Sequence, residues 1–228
     1  MDDRLYNKKL ECPVCSNKIE VTQVKKMGYR IASRDTDFCV YYEGINPILY
    51  EPWVCEFCGY AALEEDFEGI SEKGKDIIKK NVTPHWRARS FTGERDYQKA
   101  IEAYKLVIVS SKYLQAKSST LAKISMRMAW IYRLENDPKE MDYLAFALKY
   151  YADAYEKESF PIAKMDESTC MYMIGELNRR LGNIDEAVKW FSKVLNSPEA
   201  RKKPTLIEST REQYQLIKEE LNKTRSQT

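Results

Sequence analysis

The sequence predicts an α+β fold that is mostly α: a small metal-stapled β module followed by helical hairpins. Three observations predict it. Two pairs of cysteines, Cys12-Pro13-Val14-Cys15 and Cys55-Glu56-Phe57-Cys58, have the spacing of two halves of one tetrahedral metal site. Between them lie β-branched and aromatic runs broken by turn residues. After Phe67-Glu68-Gly69 glycine and proline become sparse, and apolar residues recur at helical spacing.

With 228 residues and 43% hydrophobic content, the chain can bury a real core, and two modest domains are expected, residues 1–70 and 71–223, with a tail at 224–228. Lys and Arg number 37 against 35 Asp and Glu, a formal charge of +2. No global field therefore steers the chain to nucleic acid or an anionic membrane. No apolar run approaches the roughly 18 to 20 residues that span a bilayer, and Met1-Asp2-Asp3-Arg4-Leu5 does not begin a secretory signal. A soluble cytoplasmic protein is expected. There thiols stay reduced, so six cysteines argue for metal binding over disulfides.

Taken in order, residues 1–11 are polar, with Leu5, Tyr6 and Leu10 as the anchors. Pro13 and Val14 favour a tight turn between the first two thiols. Ile19, Val21 and Val24 read as a short strand that Gly28 would break. The 39 residues between Cys15 and Cys55 exceed what a minimal two-pair site needs, so a folded insert is expected. Phe38-Cys39-Val40-Tyr41-Tyr42, a turn at Glu43–Pro47, and Ile48-Leu49-Tyr50 read as a hairpin, with Cys39 a buried residue on a strand. Arg34-Asp35-Thr36-Asp37 is the polar cluster of the insert. Its bland reading is a solvated turn with an Asx cap, and its sharper one is an enzyme site of Arg34, Asp35 and Asp37 beside Tyr41 and Tyr42. His85, the chain's one histidine, is expected at the surface or a helix end, which leaves no partner for a nucleophilic triad.

Cys12, Cys15, Cys55 and Cys58 are the predicted metal ligands, for structural Zn²⁺; iron in a rubredoxin-like setting would use the same four. A redox Cys-x-x-Cys belongs at a helix start in a βαβ context, which neither pair has. Four thiolates leave no open position for water or substrate, so the ion holds the fold and catalyses nothing.

From about Ser71 to Asn222 nearly everything reads as helix. Asp137-Pro138-Lys139-Glu140 reads as an N-terminus with cap, proline and acid, and Asn183 with Glu186 repeats the logic. Thr205 to Glu208 fits a capping box that opens a last helix. Gly175, Gly182, Ala187 and Phe191 are spaced as in a tetratricopeptide repeat, where small residues let paired helices approach and an aromatic fills the seam. Tyr97, Ala100 and Tyr104 read as the second helix of one hairpin, and Ala129–Tyr132 with Ala147, Tyr151 and Ala154 as another. Ala100, Ala147 and Ala187 are 47 and 40 apart, a loose period. Three degenerate hairpins capped by the last helix are expected, against an ordinary bundle. Cys170 is a packing residue.

The cysteine pairs with Cys55-Glu56-Phe57-Cys58-Gly59-Tyr60-Ala61, then Met128-Ala129-Trp130-Ile131-Tyr132-Arg133 and a tyrosine-rich helical hairpin, resemble the bacterial family called domain of unknown function 2225. The resemblance covers about residues 8–195. It implies cysteine pairs that hold metal and a helical-repeat portion, and no catalytic residue.

The first functional reading is an uncharacterised metal-binding adaptor or scaffold whose helical repeats bind another protein or peptide. The repeat register places Lys123, Met126, Trp130 and Arg133 from one hairpin, and Thr169, Tyr172, Glu176 and Arg179 from the next, on the concave face. The bland alternative makes Trp130 and Tyr172 core. A nucleic-acid-binding zinc ribbon is the second reading, with Lys73, Lys75, Lys79, Lys80, Arg87 and Arg89 as a basic stripe and Trp86 for stacking. Acidic neighbours such as Glu72 and Asp76 weaken it.

Overall fold

Each cysteine pair is the turn of a β-hairpin in the computed structural model, which describes residues 2–225. Strand β1 (Leu5–Glu11) pairs antiparallel with β2 (Lys18–Val24), from Leu5 opposite Val24 to Glu11 opposite Lys18, and the first pair fills the turn. β3 (Tyr29–Arg34) pairs with β4 (Val40–Gly44) across an irregularity between Ile31 and Ser33. β5 (Pro52–Val54) pairs with β6 (Ala61–Leu63) around the second pair. The α+β, mostly α, expectation holds, with β1 a strand that the sequence did not announce.

The chain forms two compact units. One runs to Asp35, resumes over Val40–Ala116 and takes Leu134–Asn136; the other holds Thr36–Cys39, Lys117–Arg133 and the chain from Asp137 on. The compact units thus divide near residue 116, with Thr36–Cys39 grouped with the helices. The reason lies in what covers the strands.

In the first unit, short helix α1 (Glu64–Phe67) and helix α2 (Glu72–Asn81), capped by the Ser71 hydroxyl on the Gly74 amide, lead to α3 (Tyr97–Tyr113), capped by Asp96 on Lys99. α3, expected as the second helix of a repeat hairpin, lays its buried face against β5, β6 and the turn at Pro47–Tyr50. The Tyr104 hydroxyl donates to the Ile48 carbonyl at 2.8 Å, and the Ala61 amide donates to Ser110 Oγ at 3.3 Å. Arg95, 5% exposed, donates to the carbonyls of Leu49, Pro52 and Phe91. Three-stranded or larger sheets can stand alone, two-stranded ones cannot, and α3 supplies the missing cover. The core joins Cys12, Val14, Ile19, Val21, Trp53, Cys55, Cys58, Tyr60, Phe67 and Ile78.

The second unit contains α4 (Ser118–Leu134), α5 (Lys139–Lys157), α6 (Glu167–Arg180), α7 (Ile184–Asn196), short α8 (Pro198–Arg201) and α9 (Pro204–Arg225). α5 packs on α6, α6 on α7, and α7 on α9. Glu158, at the end of α5, accepts from the amide and hydroxyl of Ser119 in the first turn of α4. An acid there meets the positive end of the helix dipole. At Gly175 an added Cβ would lie 2.8 Å from the Phe191 ring, so the glycine sets how closely α6 and α7 approach. Ala100, Ala147 and Ala187 are fully buried.

Two caps differ from expectation. Asp137 does accept from the Lys139 amide at 2.9 Å, and α5 begins at Lys139. Asn183 holds the N-cap position of α7 without capping it, because its amide turns back to Asn178 Oδ1. α9 opens on Pro204 itself. Among the described residues no helix is long and apolar enough to cross a membrane.

Candidate functional site

The two knuckles are built alike. The Cys12 amide donates to the Asn17 carbonyl at 2.9 Å, and the Ser16 amide to the Cys12 carbonyl at 2.8 Å; the Cys55 amide donates to Tyr60 at 2.8 Å, and Gly59 to Cys55 at 2.9 Å. In both, the residue after the second cysteine is left-handed: Ser16 at φ 59 and Gly59 at φ 76. That kink closes the turn and aims both sulfurs of the pair inward. Gly59 meets a second demand, since an added Cβ would lie 2.7 Å from the Trp86 ring. The Trp86 indole N–H donates to the Glu56 carbonyl at 2.7 Å and so holds the second knuckle.

All four sulfurs lie within 4.8 Å of one another. Cys12 and Cys58 are 3.7 Å apart and Cys15 and Cys55 3.6 Å, and none forms a disulfide. A tetrahedral ion with four sulfurs at about 2.3 Å spaces them at about 3.8 Å, so the donor set fits such an ion. Three of the sulfurs are buried and Cys15 is partly covered, with the Asn17 amide 3.3 Å from its sulfur. Hydrogen bonds from Cys55 and Cys58 pull the Cys12 thiol far below its ordinary value. The hydrogen bond shared with Cys12 pushes the Cys55 thiol up to about 12 and the Cys58 thiol higher still. Thiols this close oppose one another's ionisation, and a cation among them supplies the charge that favours the thiolates.

The predicted helical face has an occupant from its own chain. Residues 36–39, between β3 and β4, lie in the helical unit. Asp37 has no exposure, and Arg133 forks onto it, Nη1 to Oδ1 at 3.0 Å and Nη2 to Oδ2 at 2.6 Å. The Trp130 indole N–H donates to Oδ2 at 3.1 Å, and Arg180 stands 3.8 Å from Oδ1. The Tyr172 hydroxyl donates to the Thr36 carbonyl at 2.9 Å. The Thr36 hydroxyl donates to Glu176 at 2.5 Å and accepts from Arg180 at 2.8 Å. Phe38 packs on the Tyr172 ring, centroids 5.6 Å apart. Behind them the fully buried Glu176 binds Arg179 and Arg180, and Glu140 binds Arg133 Nε. Burial alone would lower the pKa of Arg133, yet Asp37 and Glu140 carry it above its ordinary value.

Of the eight face residues, Trp130, Arg133, Tyr172 and Glu176 converge on this peptide, and Arg179 reaches it through Glu176. Met126 is buried, Lys123 is half-buried, and Thr169 turns to Asp166 in the first turn of α6. Arg180, Thr36 and Phe38 were missed. The one signal was the spacing of Glu176 with Arg179 and Arg180, three and four residues apart on a helix. The exposed-turn reading of Asp37 is overturned by its burial, although its Oδ1 does take the Cys39 amide in an Asx-like bond at 3.2 Å. Cys39 is buried and lies just before β4. Arg34 is exposed, Asp35 half-buried and Asp37 buried. Tyr41 and Tyr42 instead line a cleft of about 430 Å³ with Tyr50, Arg95 and Tyr97. Of the basic stripe, Trp86 is engaged with the knuckle, its face covered by Arg89 at 4.3 Å, and Arg89 pairs with Glu102. His85 is exposed.

A family model described as an uncharacterized protein conserved in bacteria, DUF2225, matches residues 5–217. A curated protein of Borreliella burgdorferi, named only "Uncharacterized protein", is 27% identical over 154 residues, 59% of this chain and 55% of that one. The match thus spans about half the length of that relative. No solved structure matches the chain.

Proposed function

The chain belongs to the bacterial family DUF2225 of uncharacterized conserved proteins, and from that premise we propose that it is a zinc-stapled adaptor of the cytoplasm whose tetratricopeptide-like helices hold a peptide of another protein. Zinc is favoured by the donor set: four thiolates in a closed, mostly buried shell suit a redox-inert tetrahedral ion in a reducing compartment. Cys12, Cys15, Cys55 and Cys58 would hold it, and the chemistry it supplies is cross-linking of two hairpins. The repeat reading draws on the glycine and aromatic at the seam of α6 and α7.

One observation carries the adaptor reading. The face expected to bind a partner grips a stretch of irregular chain through both its main chain and its side chains, which is how peptides are read. Its tools are Trp, Tyr and Arg, the residue types that dominate binding energy at interfaces.

Two measurements test this. Metal analysis of the purified protein is expected to give one zinc per chain, lost in Cys58→Ser; iron in its place removes the zinc assignment. Capture from a native lysate is expected to return one protein reproducibly, more of it on a folded Asp37→Ala chain than on wild type, and a folded Arg133→Ala chain to lose it. A chain that retains no protein above background sinks the adaptor reading.

A further inference from the structure

Resting on that adaptor reading, we propose that the helical face recognises a segment of another protein in which Ser or Thr precedes Asp and an aromatic follows it, and that Thr36-Asp37-Phe38 is its resident counterpart. Each feature of the tripeptide has a dedicated reader. Arg133 and Trp130 together take both carboxylate oxygens of Asp37 in the planar fork that a guanidinium makes with a carboxylate and not with an amide. Glu176 and Arg180 take opposite ends of one hydroxyl, as acceptor and donor, so an alkyl group at that position would lose both bonds. Tyr172 reads a main-chain carbonyl and offers its ring to Phe38.

Two further observations separate a recognition site from a packing contact. Buried ion pairs stabilise a fold less than apolar residues of the same volume, yet here Asp37 and Glu176, both fully buried, and Arg133, Arg179 and Arg180 surround three residues of chain. Such a network contributes specificity for one sequence. Phe38 is held at φ 66, a conformation costly for a bulky L-residue, so the site imposes its own geometry on the occupant. Covalent attachment gives the resident a high effective concentration, so a segment of another protein must compete with it, and replacing Asp37 removes that competition.

The test uses the full-length chain carrying Asp37→Ala and a fluorescent peptide of residues 33–41 under reducing conditions, read by anisotropy. The peptide is expected to bind this variant at least ten-fold more tightly than it binds wild type. Asp37→Asn in the peptide should weaken binding at least ten-fold and Phe38→Ala several-fold, and adding Arg133→Ala to the chain should abolish it. If Asp37→Ala does not fold, the isosteric Asp37→Asn chain is used with the same peptides. Equal binding of the Asp and Asn peptides overturns the motif and leaves the adaptor reading standing. Failure of a folded variant to bind any peptide also overturns the motif, while lysate capture decides the adaptor reading separately. Wild-type self-association that the peptide reverses would make a second copy of the chain the occupant, and would equally overturn it.

Discussion

Gly59 has to be left-handed to turn the second knuckle and bare to let Trp86 reach the Glu56 carbonyl. Ala meets neither condition. Gly59→Ala is expected to lower stability by about 2 kcal/mol or more, seen as a drop in melting temperature together with weaker metal retention; an unchanged melt would remove both demands. Cys170 makes a pH prediction. Burial pushes its thiol up to about 12, so the fold favours the neutral form. The unfolded thiol ionises near its ordinary value, hence this contribution is fully present below about pH 8.5 and is lost as pH rises toward 12. Denaturation midpoints of wild type should fall with pH above about 9 more steeply than those of Cys170→Ala, by at most about 1.4 kcal/mol per pH unit. Parallel slopes would assign the loss to other groups, such as the buried Tyr151. At this scale legibility was uneven. The four-cysteine cluster was readable because local spacing is itself the geometry of a knuckle. Asp37 was misread as solvent-facing because its partners, Trp130 and Arg133, are more than ninety residues away and nothing local announces them.

At the scale of elements, the helices were legible and the first strand was not. α4 and α6 are buried on nearly every face, Cys170–Asn178 without a break, so their apolar content more than a single stripe made them legible. β1 has one fully buried residue, Leu5, and its alternation is erased by Asn7, Lys8 and Lys9; it is a strand because β2 and the knuckle between them supply its partner. α3 read as a repeat helix for a similar reason: Ala100 and Tyr104 give the same stripe whether they face a helix or a two-stranded sheet. The seam of α6 and α7 gives a test of the pairing itself. Gly175→Ala drives a methyl into Phe191 and should cost about 1–3 kcal/mol by overpacking. Phe191→Leu in the same chain frees that space and should recover part of the loss, so a double-mutant cycle in urea is expected to give a coupling of about 0.5 kcal/mol or more. Additive effects would mean that the glycine does not set the spacing.

For the whole molecule, an ion held by the four cysteines would matter to one unit far more than to the other. Cys12, Cys55 and Cys58 are members of the first unit's core beside Trp53, Tyr60 and Phe67, and its three sheets are two-stranded. Without an ion the four sulfurs crowd one another, and the hairpins lose their cross-link. Metal-binding energy is folding energy for such a unit. The helical unit has a different source of stability, the fully buried residues along α4 and α6. Stripping the protein with a strong chelator under reducing conditions should therefore abolish hydrogen-exchange protection at β1, β2, β5 and β6, while amides of α6 and α7 keep most of theirs. Cys15→Ser should reproduce the pattern without chelator, and re-added zinc should restore it in wild type alone. Protection in both hairpins that persists in demonstrably metal-free protein would show that packing by α3 suffices, and would reduce the cysteines to buried apolar groups.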